Sequence, residues 1–310
     1  MSADNPRPTK VTAWIALFRP PNLLTVPGDP LAGALLAAGT LGIAPDWPAV
    51  TSVAGSALAL YASGLVSNDV FDHATDARER PDRPIPSGAV RPGTALPLAL
   101  FATALGIAAA TGAGYVAAAL SCILAATVWL YNGIGKRFPL LAPFNMGACR
   151  GLSILMGAAV FGVAGLSALP VLIAAAAQTL YVAGLTFTAR REAEAVVETG
   201  HWVPGWIAPM LPLILAIGFS VPFLAHPSRF NLAAGLALMS IAWAGLWSVT
   251  AVRANTARGV QGAVGGLIRG LILTQAAWCA FSGPAGQEIA LLVLAAFPVA
   301  GWLGRRFYGS

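Results

Sequence analysis

The chain has 310 residues, of which 57% are hydrophobic and 10% are charged, and its formal net charge is +6. A soluble domain carries about 25% charged residues because its surface must face water, so this composition excludes a water-soluble protein and indicates a lipid-embedded one. The basic residues lie in short segments between apolar runs, which fits orientation in a membrane, and we expect no nucleic-acid partner.

Apolar segments follow one another along almost the whole chain after a polar, flexible N-terminus over residues 1–12. A helix needs about 20 apolar residues to cross a hydrocarbon layer about 30 Å thick. The candidate spans are 14–39, 48–67, 94–113, 115–134, 144–164, 167–188, 204–224, 231–251, 264–282 and 287–304. Nine of these are expected spans and 287–304 is a possible tenth, so the sequence predicts an all-α bundle of nine or ten transmembrane helices, forming one membrane-embedded domain over residues 1–310.

The polar segments between these spans alternate in charge. One set carries the basic residues Lys10, Arg19, those of the segment 68–92, Lys136, Arg137, Arg190, Arg191, Arg253 and Arg258. The other set holds little beyond Asp46, His226 and Arg229. Because basic loops stay cytoplasmic, we expect the N-terminus and the acidic loops to face the cytoplasm from the inner (cytoplasmic) membrane.

The longest polar segment follows the second predicted span and reads SNDVFDHATDARERPDRPIPSG over residues 67–88. Asn68, Asp72 and Asp76 are spaced by four residues, so a helix that continued through them would present all three on one face. Carboxylates at this spacing repel one another, and ionisable groups at the membrane end of a helix are costly and usually functional. Such oxygen ligands suit Mg²⁺, which also accepts phosphate oxygens. The alternative is a solvated acidic loop balanced by nearby arginines.

Three motifs in the N-terminal third resemble those of the UbiA superfamily of intramembrane prenyltransferases. NDVFDHATD matches that family's NDxxDxxxD signature, ERPDRPIPSG resembles its ERPxRPxPSG stretch, and residues 18–22 (FRPPN) resemble its FRPxN segment. The resemblance implies a nine-helix bundle whose central cavity is capped by two acidic loops. It also implies that Asn68, Asp72 and Asp76 hold Mg²⁺ with support from Asp69, and that the metal binds the diphosphate of an allylic prenyl donor.

The family's second aspartate-rich motif should follow the sixth span, but residues 188–194 read TARREAE and contain no DxxxD pattern. Glu192, with Glu194, is one candidate for a second metal site. Arg190 and Arg191 are another solution, since guanidinium groups clamp phosphate in place of a metal, and a plain cytoplasmic anchor is a third. In lacking the standard second motif, the chain resembles family members that are encoded in bacterial ebo-type gene clusters.

Further candidates for binding the diphosphate are basic or polar residues near the same membrane surface: Arg19, Asn22, Arg80, Arg83, Tyr131, Lys136, Arg137 and Arg150. Tyr131 and Lys136 resemble the family's YxxxK pair with one extra residue between them. Arg150 falls inside the fifth predicted span and is therefore expected to point into the cavity, as a structural pair or as a substrate contact.

The resemblance implies Mg²⁺-dependent transfer of a prenyl group from an allylic prenyl diphosphate to a small acceptor, an aromatic ring or a hydroxyl, within membrane lipid. Asp72, Asp76, Arg80 and Lys136 are the predicted catalytic residues. A terpene cyclase and a prenyl-diphosphate phosphatase of the same fold remain alternatives. An isoprenoid-lipid transporter or binding protein is the alternative from another class.

Overall fold

The computed structural model describes residues 10–190 and 227–307, and these ranges are dominated by helices. In chain order the helices are α1 Lys10–Leu17, α2 Pro20–Leu23, α3 Gly28–Leu41, α4 Trp47–Phe71, α5 His73–Glu79, α6 Pro92–Thr111, α7 Tyr115–Gly133, α8 Leu141–Ala158, α9 Gly162–Leu166, α10 Leu169–Ala189, α11 Pro227–Arg253, α12 Ala257–Phe281 and α13 Pro284–Phe307. A 3-10 turn, Gly135–Arg137, follows α7, and a second one, Ala159–Phe161, joins α8 to α9.

Eight helical segments in the described ranges are long and apolar enough to cross a membrane, which confirms the all-α, multi-pass prediction. They correspond to eight of the ten predicted spans, and the predicted span 204–224 lies outside the described residues. The first predicted span, 14–39, is corrected, because α1, α2 and α3 are separate helices there. Pro20 and Pro27 lack an amide hydrogen, and Arg19 has a left-handed φ of 46°, so a single helix cannot continue.

Small residues let α3 pack directly against α8. A Cβ atom at Gly33 would lie 1.9 Å from the carbonyl oxygen of Ile154, and one at Gly157 would lie 2.0 Å from that of Pro30. Such contacts of backbone against backbone are typical of membrane helices, whose association depends on close packing rather than on the hydrophobic effect. The broken first segment is therefore held in the bundle by α8.

One end of the bundle gathers the ends of several spans, and we call it the acidic side. Asn68 near the end of α4, Tyr131 near the end of α7, Ala189 at the end of α10 and Val264 in the first half of α12 all line one cavity. These helix ends therefore lie on the same side of the membrane as the acidic segment. Helix α13 runs antiparallel to its neighbour α12, so the C-terminal end of α13 lies on this side as well.

Candidate active site

A cavity of about 350 Å³ opens at the acidic side and reaches into the bundle. Its polar lining includes Arg19, Asn22, Asn68, Tyr131 and Asn132, and its apolar lining includes Val26, Ala57, Leu60, Leu124, Val182 and Leu271. Asn68 and Ala57 are eleven residues apart on α4, which corresponds to about 16 Å along the helix axis. The volume lies within the range of ligand pockets, and the depth and apolar walls suit a hydrocarbon chain with a polar head.

The acidic segment spans the junction between α4 and α5, and its polar side chains make contacts in two separate clusters. Helix α4 ends at Phe71, and Asp72 joins it to α5 while its amide still donates to the carbonyl of Asn68 at 2.9 Å. The contacts divide the four polar residues into two pairs, Asn68 with Asp72 and Asp69 with Asp76.

The first pair consists of Asn68, which lines the cavity, and Asp72, and the two residues share one cation. Lys136 Nζ donates to Asp72 Oδ1 at 2.5 Å and to Asn68 Oδ1 at 3.2 Å. Lys136 comes from the 3-10 turn that follows α7, and the side chains of Lys136 and Asp72 are about a quarter exposed. Two oxygen atoms from different turns of helix thus converge on a single positive charge beside the cavity.

The second pair, Asp69 and Asp76, is buried and holds two arginines. Arg19 Nη2 donates to Asp69 Oδ1 at 2.6 Å, and Arg83 Nη1 donates to Asp76 Oδ2 at 2.6 Å. Arg83 Nη1 also lies 3.6 Å from Asp69 Oδ1, so it bridges the pair. Arg19 lines the cavity. Its backbone has a left-handed conformation, and such a strained conformation persists where the surrounding contacts hold a functional residue in place.

The other predicted diphosphate ligands differ in their placement. Asn22 and Tyr131 line the cavity beside Asn68. Arg80 and Arg137 are exposed to solvent rather than turned toward the described cavity, and Arg190 is exposed and donates to the carbonyl oxygen of Pro139 at 2.6 Å. The remaining predicted residues, Arg191, Glu192 and Glu194, lie outside the described residues.

Arg150 lines the cavity and also belongs to a buried polar network. Its Nη1 atom donates to Asp29 Oδ2 at 2.8 Å and to the Thr25 carbonyl at 2.9 Å. Asp29 Oδ1 accepts from Gln178 Nε2 at 3.0 Å and from Gln275 Nε2 at 2.7 Å, so both oxygens of this fully buried carboxylate are satisfied. Arg150 thus forms an ion pair with Asp29 at the cavity wall, and its contact with a substrate stays a prediction.

Asp29, Gln178 and Gln275 were not among the residues identified from the sequence. A signal for one of them was present, because Asp29 lies inside the apolar run 14–39 and an ionisable residue in such a run needs a partner. The glutamines give no comparable signal, since an uncharged amide within a span is far less costly than a charge. Their role becomes visible only through their contacts with Asp29.

The oxygen donors at the cavity mouth fit Mg²⁺. Asn68 and Asp72 already direct oxygen atoms at one cation, and Mg²⁺ prefers a few protein oxygens together with water and phosphate oxygens. No group of three or more His, Cys, Asp or Glu side chains forms a closed metal centre within residues 10–190 and 227–307. Asn68 and Asp72 offer two oxygen donors, and Mg²⁺ commonly takes its remaining ligands from water and phosphate oxygens.

Comparison with known proteins matches a model of the UbiA prenyltransferase family to residues 30–258. The digeranylgeranylglyceryl phosphate synthase of Methanopyrus kandleri is 36% identical over 153 residues, which are 48% of this chain and 53% of that protein. The enzyme of the same name from Methanosarcina mazei is 35% identical over 115 residues, 37% of this chain and 40% of that protein. The chain thus spans about half the length of the curated relatives it matches.

Two solved structures share the fold. One, from work on digeranylgeranylglyceryl phosphate synthase in membranes, has a TM-score of 0.58 and 20% identity, and covers 87% of this chain and 97% of that one. The other, an apo UbiA homologue from Aeropyrum pernix K1, has a TM-score of 0.55 and 21% identity, and covers 87% of this chain and 98% of that one. At these identities the likeness concerns the fold.

Proposed function

This chain belongs to the UbiA prenyltransferase family, and on that premise we propose that it transfers a prenyl group from an allylic prenyl diphosphate to a small acceptor within the membrane. The observation that carries the proposal is the position of the Asn68–Asp72–Lys136 cluster at the mouth of a deep, mainly apolar cavity. Such a site matches a substrate with a charged head and a long hydrocarbon tail.

In this proposal the diphosphate lies at the cavity mouth and the prenyl tail lies along the apolar walls. Arg19, Asn22 and Tyr131 line the mouth, and Lys136 is in contact with Asn68, which lines it too. Guanidinium and ammonium groups form short, charge-assisted hydrogen bonds with phosphate oxygens, so these side chains can bind and orient the head group.

We propose Asn68 and Asp72 as the protein ligands of Mg²⁺. When bound, the metal supplies positive charge that offsets the charge on the departing diphosphate. Asp76, which the sequence also predicts as a ligand, is paired with Arg83, just as Asp72 is paired with Lys136, and each carboxylate would have to exchange its partner to bind a metal ion. We also propose a second metal site at Glu192 and Glu194, two residues that lie outside the described part of the chain.

The residues around the cavity account for the rest of the chemistry. When the bond between the allylic C1 and its oxygen breaks, the electron pair leaves with the diphosphate, and the positive charges of Arg19 and Lys136 stabilise that group. Leu60, Leu124 and Leu271 line the cavity and exclude water, which would otherwise capture the allylic cation. The acceptor then forms a bond to C1 and releases a proton.

The names of the relatives suggest which substrates to test first. They describe a glyceryl phosphate that carries two geranylgeranyl groups. We therefore propose geranylgeranyl diphosphate as the donor and a hydroxyl of a glyceryl phosphate as the acceptor. Because basic segments stay cytoplasmic, we also propose that the acidic side faces the cytoplasm from the inner membrane.

The test is diphosphate release by detergent-purified protein supplied with geranylgeranyl diphosphate, with and without Mg²⁺ and acceptor. Asp72→Asn removes the charge at the cavity mouth, and Asp46→Asn is the matched control because Asp46 is an exposed carboxylate at the opposite end of α4. We expect release that requires Mg²⁺, is lost in Asp72→Asn and persists in Asp46→Asn. Donor binding without release would contradict the transferase proposal and favour a carrier.

Product analysis separates the enzymes that share this fold. A prenylated acceptor is the outcome expected of a transferase. Release at the same rate without acceptor, with a prenyl alcohol as product, would instead identify a phosphatase. A cyclic hydrocarbon formed without acceptor would identify a cyclase.

A further inference from the structure

Asn132 lies on the wall of the cavity, in the last turn of α7. Its side chain is buried, and Gly64 of α4 lines the cavity beside it. The Nδ2 atom of Asn132 donates to the Gly64 carbonyl at 2.9 Å and to Ser67 Oγ at 2.8 Å. Both amide hydrogens are therefore used in joining α7 to α4.

The two partners fix the orientation of this amide. The Gly64 carbonyl can only accept a hydrogen bond, and the single hydroxyl hydrogen of Ser67 is donated to the backbone of its own helix, 2.8 Å from the Ser63 carbonyl. Both partners thus present a lone pair to Asn132, which requires its NH2 group on this side. The carbonyl oxygen Oδ1 is the polar atom that the side chain has left for the cavity.

The level of Asn132 in the bundle places Oδ1 beside the bond that breaks in the proposed reaction. The midpoint of Gly64 and Ser67 is about 2.5 residues before Asn68 on α4, which corresponds to about 4 Å along the helix axis. Because α4 runs toward the acidic side, the amide lies deeper than Asn68 by this distance. The diphosphate is proposed to lie beside Asn68, and the allylic C1 is the first carbon below it. Asn132 is therefore at the level of C1.

An amide oxygen at this level favours a group that can donate a hydrogen bond. Diphosphate oxygens are negatively charged acceptors that the amide oxygen repels, and the prenyl tail has no polar hydrogen. A hydroxyl group has one, and a buried amide oxygen is costly to leave without such a partner. An aromatic carbon that attacks C1 carries only a C–H bond, which is a much weaker donor.

We propose that Asn132 binds the hydroxyl group of the prenyl acceptor and so selects an alcohol over an aromatic carbon as the nucleophile. The inference rests on the transferase function proposed above. With its hydrogen held by Oδ1, the hydroxyl directs a lone pair of its oxygen at C1. The bond from this oxygen to C1 forms, and the bond from C1 to the diphosphate oxygen breaks with its electron pair leaving on the diphosphate. The hydroxyl proton passes to the released diphosphate, which is a stronger base than an amide.

The experiment compares the binding of two ligands to the full chain in detergent, with Mg²⁺ and the unreactive thiolo analogue of geranylgeranyl diphosphate present. The first ligand is a glyceryl phosphate that carries one geranylgeranyl group and one free hydroxyl. The second carries a methoxy group in place of that hydroxyl. We expect wild type to bind the alcohol roughly three- to tenfold more tightly than the ether, which is the effect of one hydrogen bond, and Asn132→Leu to bind the two alike.

The matched control is Thr103→Val, on a helix outside the cavity lining. Thr103 forms hydrogen bonds with Ser63 of α4 at 2.7 Å and with Trp129 of α7 at 3.0 Å, so its loss also removes contacts of the two helices that Asn132 joins. We expect this variant to keep the preference for the alcohol. Should Asn132→Leu elute as an aggregate, Asn132→Thr replaces it and should also bind the two ligands alike, because a threonine hydroxyl can donate to the Gly64 carbonyl but offers no oxygen at the Oδ1 position.

Equal binding of alcohol and ether by wild type, or an unchanged preference in the Asn132 variant, would overturn the proposal. An unchanged preference together with a higher requirement for Mg²⁺ would identify Oδ1 as a metal ligand instead. Turnover with an aromatic acceptor and none with the alcohol would refute this inference and leave the transferase function intact. A wild type that releases no diphosphate with any acceptor would refute the transferase function, and the role of Asn132 with it.

Discussion

The buried pair of Asp29 and Arg150 should be sensitive to the loss of either charge. Asp29 is fully buried, the Arg150 side chain is 8% exposed, and the Nη1–Oδ2 distance is 2.8 Å. Asp29→Asn keeps an oxygen for the amides of Gln178 and Gln275 but removes the negative charge. The arginine is then left as an unpaired charge inside the protein.

The expected cost of this change is large. Removing one partner of a buried ion pair costs about 3–5 kcal/mol, because the remaining charge is desolvated without compensation. At about 2–4 °C per kcal/mol, the midpoint of thermal unfolding should fall by roughly 6 °C or more. The double variant Asp29→Asn with Arg150→Gln carries no buried charge at this site. The loss of stability in the double variant should therefore be smaller than the sum of the losses in the two single variants, with a coupling energy of up to about 3 kcal/mol.

The assay is thermal unfolding in one detergent, followed for wild type, the two single variants, the double variant and Asp46→Asn. Asp46 is exposed at the far end of α4, so Asp46→Asn measures how the loss of a surface carboxylate alone changes the unfolding temperature. The reasoning is refuted if Asp29→Asn unfolds within 2 °C or so of Asp46→Asn. It is equally refuted if the two single effects simply add, because the charges would then not stabilise each other.

Three further predictions concern the cavity mouth and the helix packing. Lys136→Gln should lower kcat on the order of 10²-fold, as expected when a cationic donor to the leaving group is lost, whereas Arg137→Gln should have a much smaller effect in the same diphosphate-release assay. Removal of divalent ions with a chelator should abolish turnover, and Mg²⁺ added back should restore it, while turnover unchanged in chelator would contradict a metal at Asn68. Gly157→Ala should destabilise the protein by about 1–3 kcal/mol in thermal unfolding, because its Cβ atom would overlap the backbone of α3. Gly55→Ala, whose Cβ would meet open space, should unfold at or slightly above the wild-type temperature, and equal losses in both would contradict the packing argument.

The amino-acid sequence by itself determined the class of protein and the position of its spans. The predicted span 115–134 corresponds to Tyr115–Gly133, and the predicted span 167–188 corresponds to Leu169–Ala189. It also located the acidic segment, whose residue Asp72 meets Lys136 at the mouth of the cavity. These features can be predicted from the sequence because hydropathy over about 20 residues and the spacing of charges along one segment are local properties of the chain.

Only the tertiary structure decided which polar groups meet. The four residues of the acidic motif divide between two sites because Lys136 approaches one face of the helix and Arg83 approaches the other. Asp29 is joined to Gln178 and Gln275, which are 149 and 246 residues away along the chain. A buried charge needs hydrogen-bond or ionic partners, and packing brings those partners from segments that are distant along the chain. Hydropathy and residue spacing describe only neighbouring residues, so they do not show which distant segments will meet.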